Sequence, residues 1–387
     1  VPAALCWPQR MGDLDGDGQA TAVDLAKLIQ HLNGSRPLPA AMIPFADVNG
    51  DGAVNDKDVS ALTDAILDAF FAHVATEFAG RRKYLTLFGG EPLLPGEAAR
   101  ERIAAFLDRA GKANLEVAVV TNGHSLLDYL DLLGKASIRE IQVTLDGPPS
   151  LHDQRRFLAG GKPTFERIAQ GIDAALAAGF TVNLRSVVDR QNLESLSELA
   201  AIARARGWTA KAGFKTQLGR NYELHSCHAA GGKGALYSRM ELAEDLHRLV
   251  MEHPEFLDFH RPAFSVAKFL WEHGELPKPL FDACTGTKTE WAFDYQGRIF
   301  ACTATVGKPG EDLGTYWPQV RLDREVVGSW QERDTASLEE CRSCAQALAC
   351  GGGCTSVAKN RTGSILSTDC RPSRELLELG IGAYLET

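Results

Sequence analysis

Seven of the nine cysteines lie between Cys284 and Cys370. Cys284 is followed after twelve residues by Gly297 and after four more by Cys302; then come Cys341, Cys344, Cys350 and Cys354, and last Cys370. The pattern is C-x12-G-x4-C, a gap, C-x2-C-x5-C-x3-C, a gap, C. Thiolates at this density bind soft metals, as zinc or as iron–sulfur clusters. A disulfide framework is the weaker reading, because such frameworks brace small domains without a core, whereas this chain is 44% apolar and places an odd number of cysteines here. Zinc ribbons favour paired C-x2-C knuckles, and Cys341 with Cys344 forms the single one present. Gly351, Gly352 and Gly353 allow close backbone approach and N–H groups aimed at sulfur, which favours clusters over zinc.

A second set of residues is built from oxygen. Asp13, Asp15, Asp17, Gln19 and Asp24 recur thirty-four residues later as Asp47, Asn49, Asp51, Ala53 and Asp58, with Gly18 and Gly52 at the sixth loop position. Side-chain oxygens at positions one, three and five, a carbonyl at seven (Gln19, Ala53) and a carboxylate at twelve make two calcium loops. Apolar residues at helical spacing follow each loop: Val23, Leu25, Leu28, Ile29 and Leu32, then Val59, Leu62, Ile66 and Leu67.

Between these ends, strands and helices alternate. Strands are expected at Tyr84–Phe88, Leu115–Val120, Ile138–Leu145, Thr181–Val188 and Lys211–Thr216, with helices over 96–110, 124–133, 164–178, 194–206 and 238–252. Repeated strand–helix units imply a parallel α/β sheet, whose ligands sit at the carboxyl ends of the strands. Gly89-Gly90-Glu91-Pro92, Thr121-Asn122-Gly123 and Thr144-Leu145-Asp146-Gly147 fall at those ends. Each alone is an ordinary turn; together they predict a small-molecule site.

Three resemblances sharpen these readings. The cysteine pattern resembles the SPASM domain of radical S-adenosylmethionine (SAM) enzymes that modify peptides and proteins. That resemblance implies two auxiliary [4Fe–4S] clusters, one on Cys284, Cys302 and Cys354, the other on Cys341, Cys344, Cys350 and Cys370. Some relatives carry one more cysteine shortly after the first, where this chain has Thr285-Gly286-Thr287-Lys288-Thr289-Glu290, so the first cluster is expected to have an open iron or a fourth ligand of another kind. LFGGEPLL, VTNG and QVTLDGPPSLHDQRR resemble the strand ends of a partial (β/α) radical SAM barrel. This implies SAM at Gly89, Gly90 and Glu91, with Thr121, Asn122, Thr144 and Asp146 flanking the nucleoside and Arg185 meeting the carboxylate. The paired loop–helix units resemble the type I dockerin, an all-α, EF-hand-like module that binds two Ca²⁺ and cohesin domains. The expected organisation is a dockerin over 11–67, a partial barrel over 68–260 and a SPASM domain over 275–387, acting on a peptide or protein.

One departure matters for activity. The family binds its SAM-cleaving cluster through C-x3-C-x2-C after the first barrel strand, and no such motif precedes GGEP; Cys6 and Cys227 are the remaining cysteines. A loop upstream of Val1, a fusion that lost the first strand, or misassembly would each account for it. Dockerin resemblance points outside the cell and exposed clusters to the reducing cytoplasm. The alternative to a maturase is a dockerin-anchored, non-catalytic metal-binding protein of a cell-surface or polysaccharide-degrading assembly. The net charge of −9 excludes a nucleic-acid partner, and no membrane span is expected. His225, Cys227 and His228 read as a polar loop, Trp291, Phe293 and Tyr295 as a half-buried strand, and Glu290 and Asp294 as candidate acids or bases.

Overall fold

The computed structural model describes residues 14, 22–32, 34–38, 43–220 and 236–385. They form two compact units, one of residues 1–83, 104–113 and 285–333, the other of residues 84–103, 114–284 and 334–387. In chain order the helices and strands before the second unit's sheet are α1 (Ala22–Leu32), α2 (Ile43–Ala46) and α3 (Asp56–Glu77). The sheet region runs β1 (Leu85–Leu87), α4 (Glu97–Lys112), β2 (Val117–Thr121), α5 (Leu126–Leu133), β3 (Ile138–Thr144), α6 (Pro149–Arg155), α7 (Phe165–Ala177), β4 (Val182–Val188), α8 (Leu196–Ala205) and β5 (Phe214–Arg220). Two helices follow, α9 (Arg239–Glu252) and α10 (Ala267–His273). Then come β6 (Ala292–Phe293), β7 (Arg298–Phe300), β8 (Asp312–Thr315), β9 (Arg321–Leu322) and α11 (Arg324–Gln331). The chain ends in α12 (Glu339–Arg342), α13 (Ala347–Cys350), α14 (Thr355–Thr362) and α15 (Ser373–Leu385).

In the first unit α3 joins two small cores. It starts with a capping box: the Asn55 side chain accepts from Lys57 N, and Asp58 Oδ2 accepts from Asn55 N at 2.8 Å. Its first turns bury Val59 beside Leu14, Leu28 and Ala46. Further along, Leu62 and Ile66 are buried with Ile299 of β7 and Tyr316, and Phe70 meets Phe293 edge-on at 5.1 Å. Full burial of such side chains contributes about 1.5–3 kcal/mol each, so the calcium-loop helix and the antiparallel sheet β6-β7-β8-β9 stabilise one another. On the other side of α3, Arg109 reaches Asp64 at 2.8 Å and Asp68 at 2.7 Å. Among the described residues one helix bears on the expectation of no membrane span. By length and composition alone, α3 is long and apolar enough to cross a bilayer, with a mean hydropathy of 1.3 over its best window; here its apolar face packs into a protein core.

The second unit is built on five parallel strands in the order β1-β2-β3-β4-β5, the α/β arrangement the alternating pattern predicts. Side chains alternate across the sheet: Val182, Leu184, Ser186 and Val188 are buried on one face, while Asn183, Arg185 and Val187 on the other are only partly covered. The last strand begins at Phe214 rather than Lys211. Lys211 N is tied into a turn by Trp208 O at 2.9 Å, and a Cβ on Gly213 would come within 2.9 Å of Phe180 O. Tyr295, expected in a half-buried strand, is 66% exposed because the strand stops at Phe293.

Because α3 begins inside the second calcium loop and ends in the core of β6-β9, calcium binding should protect that sheet. Saturating calcium stabilises a folded state by about 2.7 kcal/mol at a hundredfold excess over Kd. Amide exchange at 298–300 and 312–315 in the full chain is expected to accelerate when EDTA replaces calcium. Identical exchange in both would contradict the coupling.

Candidate active site

The carboxyl end of β1 runs into Gly89 and Gly90, whose φ values of 88° and 33° an L side chain rarely adopts. Space is open where their Cβ atoms would stand. This bend brings the Glu91 carboxylate to the end of β2. The Thr121 hydroxyl donates to Glu91 Oε1 at 2.6 Å, Asn122 N to Oε2 at 2.6 Å, and Leu93 N to Oε1 at 2.9 Å. Thr121 Oγ1 also accepts from Gly123 N, and Asn122 Oδ1 from His124 N. Of the residues expected to hold SAM, Gly89, Gly90, Glu91, Thr121 and Asn122 thus share one hydrogen-bonded mouth.

Thr144 and Arg185 are register partners on β3 and β4, and Arg185 in turn pairs with Gln217 on β5. Arg185 Nε is buried without a hydrogen-bond partner among the described residues. A Cβ on Gly219 would stand 3.3 Å from Arg185 Nε, so the glycine leaves room for the guanidinium. One step back along the same face, Gln142 Nε2 and Asn183 Oδ1, also register partners, are likewise buried and unpartnered among the described residues. Unsatisfied buried donors and acceptors cost about 1–3 kcal/mol each. A ligand bearing a carboxylate and N–H or O–H groups would satisfy them.

Asp146, expected beside the nucleoside, has its carboxylate engaged within the protein. Its Oδ1 accepts from Val187 N at 2.9 Å and its Oδ2 from Arg156 Nε at 2.7 Å. Asn192 Nδ2 donates to Asp146 O at 2.7 Å and Val187 O at 2.9 Å, and Arg155 holds Asp189 through two nitrogens. Beneath it lies His152, fully buried. Asp146 N donates to His152 Nδ1 at 3.2 Å, which leaves Nε2 to donate to Thr164 Oγ1 at 3.2 Å. Burial is the main reason the imidazole is pushed down to about 4. Reading strand ends one motif at a time misses this network, although all its first-arm members stand in QVTLDGPPSLHDQRR.

The cysteine-rich segment of the second unit is drawn together by its backbone. Ala283 N donates to Gly351 O at 2.8 Å, next to Cys284 and Cys350, and Asp369 N donates to Gly352 O at 3.2 Å, next to Cys370. A Cβ on Gly351 would lie 2.6 Å from Ala283 N, and one on Gly353 2.0 Å from Asp369 O. These glycines therefore let chain segments approach each other. Cys354 N donates to Asp369 Oδ2, while Arg239 grips the same carboxylate through both terminal nitrogens. Cys344 N bonds Cys341 O at 3.1 Å in the tight C-x2-C turn. Cys302, buried, belongs to the first unit, where Thr305 Oγ1 donates to its carbonyl at 2.8 Å. None of the seven is in a disulfide. Among the described residues no group of three His, Cys, Asp or Glu side chains stands close enough to hold a metal ion. Free thiols, a glycine-lined approach and donors of the right softness nonetheless fit iron–sulfur clusters in type.

In the second calcium loop the oxygens turn inward: Asp47 accepts from Asp51 N and Gly52 N, Asn49 Oδ1 from Asp51 N, and fully buried Asp58 from Asn49 N. Gly50 and Gly52, at φ 73° and 84°, make the turn. This donor set fits calcium. In the first loop Asp24 is buried and accepts from Leu14 N at 2.6 Å, whereas Asp13, Asp15, Asp17 and Gln19 lie outside the described residues, as do Cys6, His225, Cys227 and His228. Asp294 braces its own turn, accepting from Gln296 N, Arg298 N and Arg298 Nε, an arrangement that leaves it little scope as an acid or base.

Known proteins share parts of this sequence and this fold. Residues 58–203 match the radical SAM superfamily and residues 11–67 the dockerin type I domain. A GTP 3′,8-cyclase of Ectopseudomonas mendocina is 31% identical over 37% of this chain and 40% of its own, and the next two cyclases are covered over 35% of theirs. The chain thus spans two fifths or less of those relatives. The mycofactocin maturase MftC of Mycolicibacterium smegmatis is 26% identical over 72% of this chain and 67% of its own. Among solved structures, native anSMEcpe with bound AdoMet shares the fold at a TM-score of 0.60 and 17% identity, over 84% of this chain and 88% of that one. Streptococcus suis SuiB bound to precursor peptide SuiA aligns at a TM-score of 0.50 and 13% identity, over 79% and 68%.

His152 gives the site a pH signature. An unfolded histidine titrates near 6.5, whereas the folded one resists protonation to about 4. Between those values the unfolded chain takes up a proton that the folded chain refuses, so stability falls as pH falls, by at most about 1.4 kcal/mol per unit. Thermal unfolding midpoints at pH 7 and pH 4.5 should differ less in His152→Gln than in wild type. An equal drop in both would contradict this account.

Proposed function

We propose that the chain is a radical SAM/SPASM-type iron–sulfur protein, related to maturases that modify a peptide or protein. The observation that carries this reading is the Glu91 mouth, where three donors converge on one carboxylate beside open glycines, together with the orphaned Arg185 Nε across the same sheet. In this reading Gly89, Gly90 and Glu91 receive the SAM amino group, Thr121, Asn122, Thr144 and Asp146 border the nucleoside, and Arg185 meets the carboxylate. Asp146 would then act mainly by fixing the end of β3 against β4. SAM, when bound and reduced, supplies a radical; this chain's residues orient it.

For the cluster that cleaves SAM, the residues do not fit. Beyond the seven C-terminal cysteines the sequence offers Cys6 and Cys227, and two separate thiols cannot replace a three-thiolate loop. The seven thiols hold two auxiliary [4Fe–4S] clusters, Cys284, Cys302 and Cys354 one and Cys341, Cys344, Cys350 and Cys370 the other, and the dockerin binds two Ca²⁺ and engages a cohesin. The dockerin together with the missing loop supports a second reading, a dockerin-anchored iron–sulfur or metal-binding protein without SAM chemistry.

Two measurements test these readings. Anaerobic reconstitution is expected to load roughly eight irons per chain, the sum of two four-iron clusters, and Cys344→Ala should halve that number. Zinc uptake without the visible charge-transfer bands would overturn the cluster assignment. The reconstituted 387-residue chain with dithionite and SAM is expected to release no 5′-deoxyadenosine above a protein-free control. Clear release would overturn the proposed incompleteness and establish the maturase reading over the anchored one.

A further inference from the structure

The second unit holds a cavity of about 560 Å³ at the end of β5, walled by the start of α9, by α14 and by the turn into α15. Parallel strands share one carboxyl edge. Arg220, the last residue of β5 and part of the cavity wall, therefore lies on the same edge of the sheet as the ends of β1 and β2. Glu91, Thr121 and Arg185 are not among the lining residues, so the cavity is distinct from the Glu91 mouth.

Its polar wall is built on Asp369, a carboxylate only 1% exposed. Arg239 engages both of its oxygens, Oδ1 at 2.9 Å, and Cys354 N donates to Oδ2 at 3.3 Å. Burial pushes the Asp369 carboxyl up, but the Arg239 guanidinium outweighs it and holds the group below its ordinary range, charged. Arg239 thus suffices to balance the acid. Yet Arg361, in the last turn of α14, adds a second guanidinium at 3.2 Å, with 59% of its side chain exposed. One buried carboxylate shared by two guanidinia leaves a net positive charge on a wall where Arg220 also stands. The chain as a whole carries −9, so this sign is local. A cleft lined by one sign of charge concentrates ligands of the other.

The remaining wall is largely apolar, with Leu236, Met240, Val357 and Pro372. Guanidinium beside apolar surface suits a carboxylate on an apolar stem better than a bare, strongly hydrated phosphate. We infer that this cavity is a carboxylate site for a peptide, taking its C-terminal residue or an acidic side chain. The carboxylate lies against Arg361 and Arg239 and its stem against Met240 and Val357. The choice of a peptide rests on the proposed function, whereas the preference for a carboxylate rests on the cavity alone. No bond is made or broken there. The site anchors one part of the substrate along the sheet edge that carries the Glu91 mouth.

Calorimetry at low salt on the reconstituted full chain tests this with three acetylated alanine–leucine tetrapeptides and with inorganic phosphate. One peptide has a free C-terminal carboxylate, the second is its amide, and the third is an amide with an internal glutamate. The free acid or the glutamate peptide should bind, which shows the carboxylate that is taken, and the neutral amide at least about tenfold more weakly, the loss of one charge-assisted hydrogen bond. Arg361→Gln should weaken the acidic peptide by a similar factor, since Asp369 keeps Arg239. Arg374→Gln removes an equal charge from α15 outside the cavity and should leave binding unchanged. If Arg361→Gln does not fold, Met240→Glu, which puts a competing carboxylate in the cavity, should abolish binding; retained binding would count against the site. Equal affinity for acid and amide, phosphate bound as tightly as the acidic peptide, no peptide binding at all, or undiminished binding in Arg361→Gln overturns the carboxylate site. Iron content and SAM affinity of the same preparation report on the proposed function separately. Their absence with peptide binding intact overturns that reading and supports the carboxylate site, and their presence without peptide binding does the reverse.

Discussion

The open end of the parallel sheet depends on the Glu91 carboxylate. A carboxylate that is partly withdrawn from water must be hydrogen-bonded to persist there, and Glu91 takes its donors from its own turn and from the end of the adjacent strand. The ends of β1 and β2 therefore cannot be displaced separately. Two left-handed glycines are the condition for this, because only they let the chain reverse sharply enough after β1 for the side chain to face β2.

The same device recurs where β3 meets β4. Asp146 accepts from the backbone of Val187 and the guanidinium of Arg156, above a neutral, buried His152. Carboxylates thus tie successive strand ends in pairs. On β3 and β4 the sheet face carries donors and acceptors without partners among the described residues, Gln142 Nε2, Asn183 Oδ1 and Arg185 Nε. A frame tied by carboxylates at its strand ends and unsatisfied on its face is what a preorganised ligand site requires, since the ligand then supplies the missing hydrogen bonds. In the other unit a comparable economy operates on apolar groups, with α3 completing two cores along its length.

Much of this was legible in the residues. Alternating strand and helix patterns with turn glycines locate all five strands, the last of them displaced toward Arg220, and the two aspartate-rich loops declare themselves by repetition. What could not be read were the long-range partners. Nothing in the sequence near Asp58 says that the helix it starts will run to Glu77 and bury Leu62 and Ile66 against Ile299, because an amphipathic pattern names a face and not its partner. Gly351 and Gly353 suggested room for a cluster, yet their neighbours are Ala283 and Asp369, contacts set by loop closure over many residues. Asp146 shows the limit for site residues: its type and place at a strand end fit ligand binding, whereas the arginines that claim its carboxylate lie one helix later.

The most direct test of the central claim is the affinity of the chain for SAM, measured by calorimetry on the intact protein and on Glu91→Ala. Binding here does not depend on cleavage. If the Glu91 mouth is the site, the intact chain binds SAM and the variant binds it at least about tenfold more weakly, the equivalent of one lost charge-assisted hydrogen bond of roughly 1.4 kcal/mol. Equal affinity in the two proteins, or no binding by the intact chain, would contradict the account.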